Sequence, residues 1–304
     1  MVSIFAKMLM KMLEKNKDHV FVLEETNATR KVFDDMGSKA KPAKGVKLEE
    51  IQIGSISAEK YTRNSKETIS RVILYLHGGG YLFGSYVSHR ALVSKYCKKL
   101  SCNAYSINYR LAPEHPYPAG LDDAFFVYKW LLEEQSILPE NIILMGDSAG
   151  GGLALALLVR IKNQNLPQPK AAITISPWTD LTLTSDSFKN KREEDPFFNY
   201  KNIETGAVAY LGSESPENPE ISPLYADFKG WPSIFIQVGS RELCLDDSLN
   251  IAEKMKKQGV AVTLDVWEGM FHAFLFFGAI PIIGKLTPEF RQALKNIKTF
   301  VDGL

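Results

Sequence analysis

Apolar residues in this chain gather in short runs at residues 72–76, 104–107, 142–145, 171–175, 234–238 and 262–266. Short, mostly apolar runs suit strands buried on both faces of a parallel sheet. Between them, around 89–100, 121–134, 149–163 and 245–258, apolar residues recur at helical spacing. The tail repeats that pattern: Thr287 is placed to cap a helix, Pro288 suits its first turn, and Phe290, Leu294, Ile297 and Val301 form one face. Strands alternating with helices predict a doubly wound α/β fold, with chemistry at the carboxyl ends of the strands.

Two segments break the alternation: residues 1–44, and an excursion at about 181–229 that contains Asp195-Pro-Phe-Phe-Asn-Tyr200. A connection this long is expected to be a functional lid. The two are read together as a cap, giving an N-terminal cap part at 1–44 and a catalytic domain at 45–304 that carries the 181–229 insertion. Near the start, Ile4, Phe5, Met8, Leu9, Met12 and Leu13 recur as an amphipathic stripe, which is expected to pack on the rest of the protein. Lys7 and Lys11 interrupt it and no small-residue cleavage site follows, which argues against a signal peptide or stable membrane insertion.

Composition narrows the classes further. With Lys+Arg 36 against Asp+Glu 35, the formal net charge is +1, and nothing points to nucleic acid. Cys97, Cys102 and Cys244 are odd in number and fit neither a disulfide framework nor a zinc site, so a reducing, cytoplasmic setting is expected.

Two glycine-rich stretches carry the chemistry. Gly146-Asp-Ser-Ala-Gly150 follows an apolar run and precedes a helical one. This G-x-S-x-G pattern holds a serine at a tight strand-to-helix turn, where small neighbours let strand and helix approach. Upstream, His77-Gly-Gly-Gly-Tyr81 is the kind of loop whose backbone N–H groups accept the negative charge that serine attack creates. Gly78, Gly79 and Ala149 are the expected oxyanion donors. Tyr81, beside that loop, and Phe198, from the cap, are the expected substrate-binding side chains.

A serine nucleophile needs a base, and the chain offers five histidines. His77 is better placed to brace the glycine loop, His115 sits in a proline-locked turn, His19 in a charged segment, and His89 opens a helix. His272 remains, just after the last strand, in the chain order serine, acid, histidine. The acid should follow the strand that ends at Gly239. Glu242 is in that loop and is assigned; Asp246 is the alternative, and Asp247, like it, falls within the next helix.

Together these stretches, with Tyr109-Arg-Leu-Ala-Pro-Glu-His-Pro-Tyr-Pro-Ala119 and Gly239-Ser-Arg-Glu242, resemble the hormone-sensitive-lipase-like group of α/β-hydrolases, which includes many microbial carboxylesterases. The resemblance spans about residues 72–272. It implies an α/β-hydrolase fold with a mostly parallel central sheet and a helical cap, an esterase activity without cofactor or metal, and possible pairing into homodimers. A subgroup carries Gly-Ser-Asp-Glu at the acid loop; here Arg241 replaces an acidic residue. The expected function is a serine carboxylesterase acting through an acyl-enzyme on short- to medium-chain acyl esters, lactones among the options. A serine amidase or peptidase, or a non-catalytic ligand-binding protein on the same scaffold, are the alternatives.

Overall fold

The computed structural model describes residues 2–17, 23–65 and 69–304. His19, set aside above as a base, lies outside the described residues. A single sheet organises the chain: β1 (Val46–Ile53), β2 (Ile56–Arg63), β3 (Val72–Leu76), β4 (Asn103–Ile107), β5 (Ile142–Asp147), β6 (Ala171–Ile175), β7 (Ser233–Gly239) and β8 (Val262–Trp267). The strand order is β1-β2-β4-β3-β5-β6-β7-β8. From β4 to β8 all neighbours run parallel, while β1 and β2 extend the β4 edge as an antiparallel hairpin.

Side-chain alternation explains why the sheet is covered on both faces. Ile73, Tyr75, Ile143, Met145 and Ile173 pack with α3 (Tyr86–Leu100) and α11 (Pro288–Asp302). Leu74, Leu76, Leu144, Ala172 and Ile236 face the other way, toward α4 (Ala119–Glu133), α5 (Ala149–Asn163) and α8 (Leu245–Lys257). The six apolar runs are thus the six parallel strands. The β1–β2 hairpin had no such run because charged residues alternate along it, with Lys47 opposite Thr62 and Glu49 opposite Lys60. The start of α11 departs from expectation in one detail. Pro288 does occupy its first turn, but the Thr287 hydroxyl donates back to the Ile283 carbonyl at 2.8 Å and makes no cap.

The two irregular segments carry their own helices, α1 (Ile4–Glu14) and α2 (Thr26–Ser38) in the first, α6 (Ser187–Asn190) and α7 (Tyr200–Leu211) in the second. They meet where the turn at Leu23–Glu25 touches α7. Arg30 fastens α2 to the body. Its Nε donates to the Leu82 carbonyl at 2.7 Å, its Nη2 to the Ala112 carbonyl at 2.9 Å, and both terminal nitrogens reach Glu114 at 2.8 Å. The Arg30 guanidinium holds the Glu114 carboxyl at about 2, below the usual carboxylate range. α1 corrects an expectation. Only one side of it, Ala6, Leu9 and Met10, is buried, whereas Ile4, Phe5, Met8 and Met12 face solvent. Two short helices, α9 (Phe274–Gly278) and α10 (Pro281–Leu286), lead into α11.

Candidate active site

Ser148 sits where β5 turns into α5, with φ 54° and ψ −125°. A positive φ is strained for a residue with a Cβ. Backbone bonds hold it there: Ser148 N–H donates to Ile175 O at 2.8 Å, and Ser148 O accepts from Gly152 N–H at 3.0 Å. The flanking glycines are needed because of close approach. A Cβ on Gly146 would fall on the Gly150 carbonyl, and one on Gly150 on the carbonyls of Leu76 and His77.

His272 follows β8 and is 1% exposed. Its Nδ1 lies 2.7 Å from Glu242 Oε2. A carboxylate at Nδ1 places the ring proton on that nitrogen and leaves Nε2 as the acceptor. Nε2 is buried with no hydrogen-bond partner among the described residues, and His272 and Ser148 line the same cavity.

Glu242 is fully buried. Its second oxygen, Oε1, accepts from Ser176 Oγ at 2.9 Å and from the Gly239 N–H. Ser176 Oγ in turn accepts the Ala273 N–H at 3.0 Å. Ser176 therefore ties the acid loop to the histidine loop, a role no sequence signal announced: it is a lone serine after β6. The alternative acids are committed elsewhere. Asp246 accepts the Ser187 N–H at 2.7 Å. Asp247 accepts the N–H groups of Thr179 and Asp180 at 2.9 Å each and the Ser185 hydroxyl at 2.7 Å. Burial, with the Asp180 charge adding to it, raises the Asp247 carboxyl to about 7. Both acids anchor the start of the 181–229 excursion. Arg241 reaches toward α1, its Nη1 3.6 Å from Met10 Sδ.

The glycine loop borders the cavity at Gly78 and Gly79. Gly78 N–H donates to Asp147 Oδ1 at 3.1 Å, which braces the loop beside the serine. The N–H groups of Gly79 and Gly80 have no acceptor among the described residues. Ala149 opens α5, where an N–H has no intrahelical acceptor. Asp147 also accepts the Tyr75 hydroxyl at 2.6 Å and lies 3.4 Å from His89 Nε2. Burial alone would raise its carboxyl, but His89, Tyr75 and His77 hold it below the usual value. His89, expected only to open a helix, lines the cavity beside it. His77 braces the loop, as anticipated: its Nδ1 is 2.9 Å from the Gly78 carbonyl and its ring stacks on Tyr109 at 4.3 Å. Burial and the neighbouring His89 push the His77 imidazole down to about 3, so it stays neutral.

Six phenylalanines wall the cavity, Phe33 from α2, Phe83 from the glycine loop, Phe197 and Phe198 from the excursion, and Phe276 and Phe277 from α9. The space they enclose with Ser148 and His272 is about 390 Å³, part of it open to solvent. Phe198 packs edge-on against the His272 ring at 4.5 Å, so this expected substrate-binding side chain lies at the site. Tyr81 does not. It turns away from the cavity, is 1% exposed, and stacks on Tyr210 at 3.7 Å. It supports the glycine loop from behind. Asp195 was not foreseen. Fully buried, it accepts the N–H groups of Phe197 at 2.8 Å, Phe198 at 3.1 Å and Leu243 at 2.9 Å, joining the aromatic wall to the Glu242 loop. Burial raises its carboxyl to about 6.

No cluster of residues suited to a metal ion exists among the described residues. Likewise, no described helix is long and apolar enough to cross a membrane. The three cysteines are buried and unpaired.

Comparison with known proteins agrees with this architecture. Residues 73–276 match a family model described as the alpha/beta hydrolase fold. An esterase of Acinetobacter venetianus is 36% identical over 279 residues, covering 91% of this chain and 89% of that one. An esterase/lipase crystal structure from an uncultured bacterium superposes with a TM-score of 0.88 at 36% identity, over 99% of this chain and 98% of its own. An esterase from the bacterial hormone-sensitive lipase family superposes with a TM-score of 0.89 at 33% identity, over 98% and 97%.

Proposed function

Because this chain belongs to the α/β-hydrolase family, and within it is an esterase of the hormone-sensitive-lipase group, we propose that it cleaves short- to medium-chain acyl esters with Ser148, His272 and Glu242 as its triad. The observation that carries the reading is the His272 ring: Nδ1 is held by a buried carboxylate at 2.7 Å, and Nε2 is unpartnered in the cavity that Ser148 lines.

In this mechanism His272 Nε2 takes the Ser148 proton as Oγ bonds to the ester carbonyl carbon. The oxyanion that forms is met by the N–H groups of Gly78, Gly79 and Ala149, close to the N-terminal end of α5. The carbon–alkoxy bond then breaks, and the alcohol leaves with the proton from His272. Water, deprotonated by the same nitrogen, attacks the acyl-enzyme and returns the carboxylic acid and free Ser148. Glu242 holds the tautomer and offsets the imidazolium charge.

Residues 1–44 and 181–229 act as the cap of a catalytic domain spanning 45–304. Phe33 and Phe197–Phe198, which the two segments contribute to the wall, support this division. Each methylene buried in such a space gains roughly 0.8 kcal/mol, until the space is full and further carbons clash or stay in water. A cytoplasmic setting is in keeping with three buried, unpaired thiols. The test is a kcat/KM profile over acyl chain length, with a matched amide and lactone. The expected profile climbs over a few carbons and falls, with the amide far slower than the ester. A profile still rising at long chains, or an amide matching its ester, refutes the reading.

A further inference from the structure

The outward side of α1 is an apolar stripe that no described part of the protein covers. Ile4, Met8 and Met12 are spaced by four residues and so lie in one row, with Phe5 beside them. Their exposures are 75%, 61%, 54% and 44%. Lys7 and Lys11, both exposed, border the row on one edge. The helix therefore has two apolar sides, one packed inward through Ala6, Leu9 and Met10 and one left in water.

A second feature lies next to it. The Ser3 N–H at the head of α1 bonds Glu289 at the head of α11. Just beyond, a hollow of about 1130 Å³, part of it open to solvent, is lined by Lys95, Lys99, Lys285, Arg291, Lys295 and Lys298, with Phe290 and Leu294 among its apolar lining. Six cations line one space in a chain whose net charge is only +1. The fold explains some of them. Lys95 donates to the carbonyls of Gly278 and Ala279 at 2.7 Å, closing the end of α9, and Arg291 donates to the Lys285 carbonyl. These bonds satisfy carbonyls but leave the charges uncompensated. Lys298 pairs with Asp302. Lys99, Lys285 and Lys295 have no ion-pair partner among the described residues. Gathering like charges is unfavourable unless an anion offsets them.

An apolar helix face bordered by cations, beside a cationic hollow with apolar lining residues, has the chemistry of a peripheral membrane contact. We propose that this protein docks reversibly on an anionic lipid bilayer. The Ile4–Phe5–Met8–Met12 row enters the acyl–headgroup boundary, and the α3–α10–α11 cations receive lipid headgroups. α1 belongs to the same N-terminal segment as Phe33, so docking would bring the cap to the lipid surface. The proposal does not depend on the esterase mechanism, since its test reads binding alone.

The experiment is co-sedimentation of the full chain with vesicles of phosphatidylcholine, with and without one third phosphatidylglycerol. Expected is binding to the anionic vesicles, little to the neutral ones, and release at high salt. Replacing Lys99, Lys285 and Lys295 together by Gln should weaken binding by roughly a hundredfold, at the usual contribution of a basic residue near an anionic surface. Phe5→Ser with Met8→Ser should abolish it while the melting temperature holds, because both side chains are exposed. Equal binding to both vesicle types, no sedimentation with either, or retention by both variants would overturn the proposal. So would a concentration-dependent dimer in light scattering that Phe5→Ser and Met8→Ser dissolve, which assigns the face to a second copy of the chain.

Discussion

Replacing Glu242 by Gln changes one buried atom, and the structure dictates the consequence. Glu242 accepts on both oxygens: Oε2 faces His272 Nδ1, and Oε1 faces Ser176 Oγ and the Gly239 N–H. A glutamine offers one acceptor and one donor in the same place. If its NH₂ faces His272, Nδ1 must become an acceptor. The proton then moves to Nε2, which can no longer take one from Ser148. If the amide is reversed, its NH₂ meets the Gly239 N–H, a donor against a donor, and a buried backbone group loses its acceptor at about 1–3 kcal/mol. The first arrangement avoids that cost, so the inactive tautomer dominates. The corresponding Asp-to-Asn exchange in a serine protease triad lowers kcat by about 10⁴, equivalent to about 5 kcal/mol of transition-state stabilisation. Glu242→Gln should therefore lose kcat/KM on a soluble chromogenic ester by about that factor with a native fold. Nitrogen NMR should find the His272 proton on Nε2. Asp246→Asn, which alters only a bond to Ser187, should stay within about tenfold of the parent, as for a change away from the reacting atoms. A crippled Asp246→Asn beside an active Glu242→Gln would refute the reasoning.

Three further outcomes follow from other parts of the molecule. Burial raises Asp247 in the folded state to about 7 from an ordinary 3.8; between these values the folded chain keeps a proton that the unfolded chain loses, so this group's contribution to stability falls as pH rises through that window. Asp247→Asn can still accept the N–H groups of Thr179 and Asp180 but cannot ionise, so its melting temperature relative to the parent should be higher at pH 8 than at pH 5; an unchanged difference refutes the charge argument. Phe33→Ala opens the cavity wall that packs on Phe83 at 4.8 Å, and should move the acyl optimum to longer chains, with each added methylene gaining up to roughly fourfold in kcat/KM; an unmoved optimum would mean that α2 does not bound the acyl site. A Cβ at Gly78 falls against the Asp147 carboxylate and backbone, so Gly78→Ala should cost most of kcat by displacing the glycine loop, read from single-turnover acylation of the folded variant, and normal acylation would contradict this view of the loop.

Much of this was legible in the chain because the parallel strands β3 to β7 are buried on both faces, and burial on both faces writes itself as a mostly apolar run. The β1–β2 hairpin was missed for the opposite reason: a strand with one wet face carries Lys and Glu between its apolar residues. The serine, the histidine and the acid loop could be found from motif and chain order, since a turn that brings strand and helix into backbone contact tolerates little but glycine. The bracing of the glycine loop could not. Three consecutive glycines are equivalent as letters, and nothing in them announces that Asp147 reaches across to Gly78. Tyr81 misled for a similar reason, because adjacency to the loop does not say on which side a ring lies. Ser176 left no pattern, because its bond to Glu242 spans 66 positions; Asp195 heads a local turn through Phe197 and Phe198, but its bond to Leu243, 48 positions on, left no mark in the chain.

The central claim is that Ser148 is the nucleophile that carries the acyl group. Its most direct test is stoichiometric labelling of the purified protein with an active-site phosphonylating reagent, read by intact mass and peptide mapping, with ester turnover followed in parallel. The account predicts one adduct per chain, on Ser148, with loss of activity in proportion to labelling. It also predicts that Ser148→Ala takes no label, remains folded, and loses turnover on the order of 10⁶-fold. A folded Ser148→Ala protein with near-normal turnover, or inactivation by a label on a different residue, would contradict it.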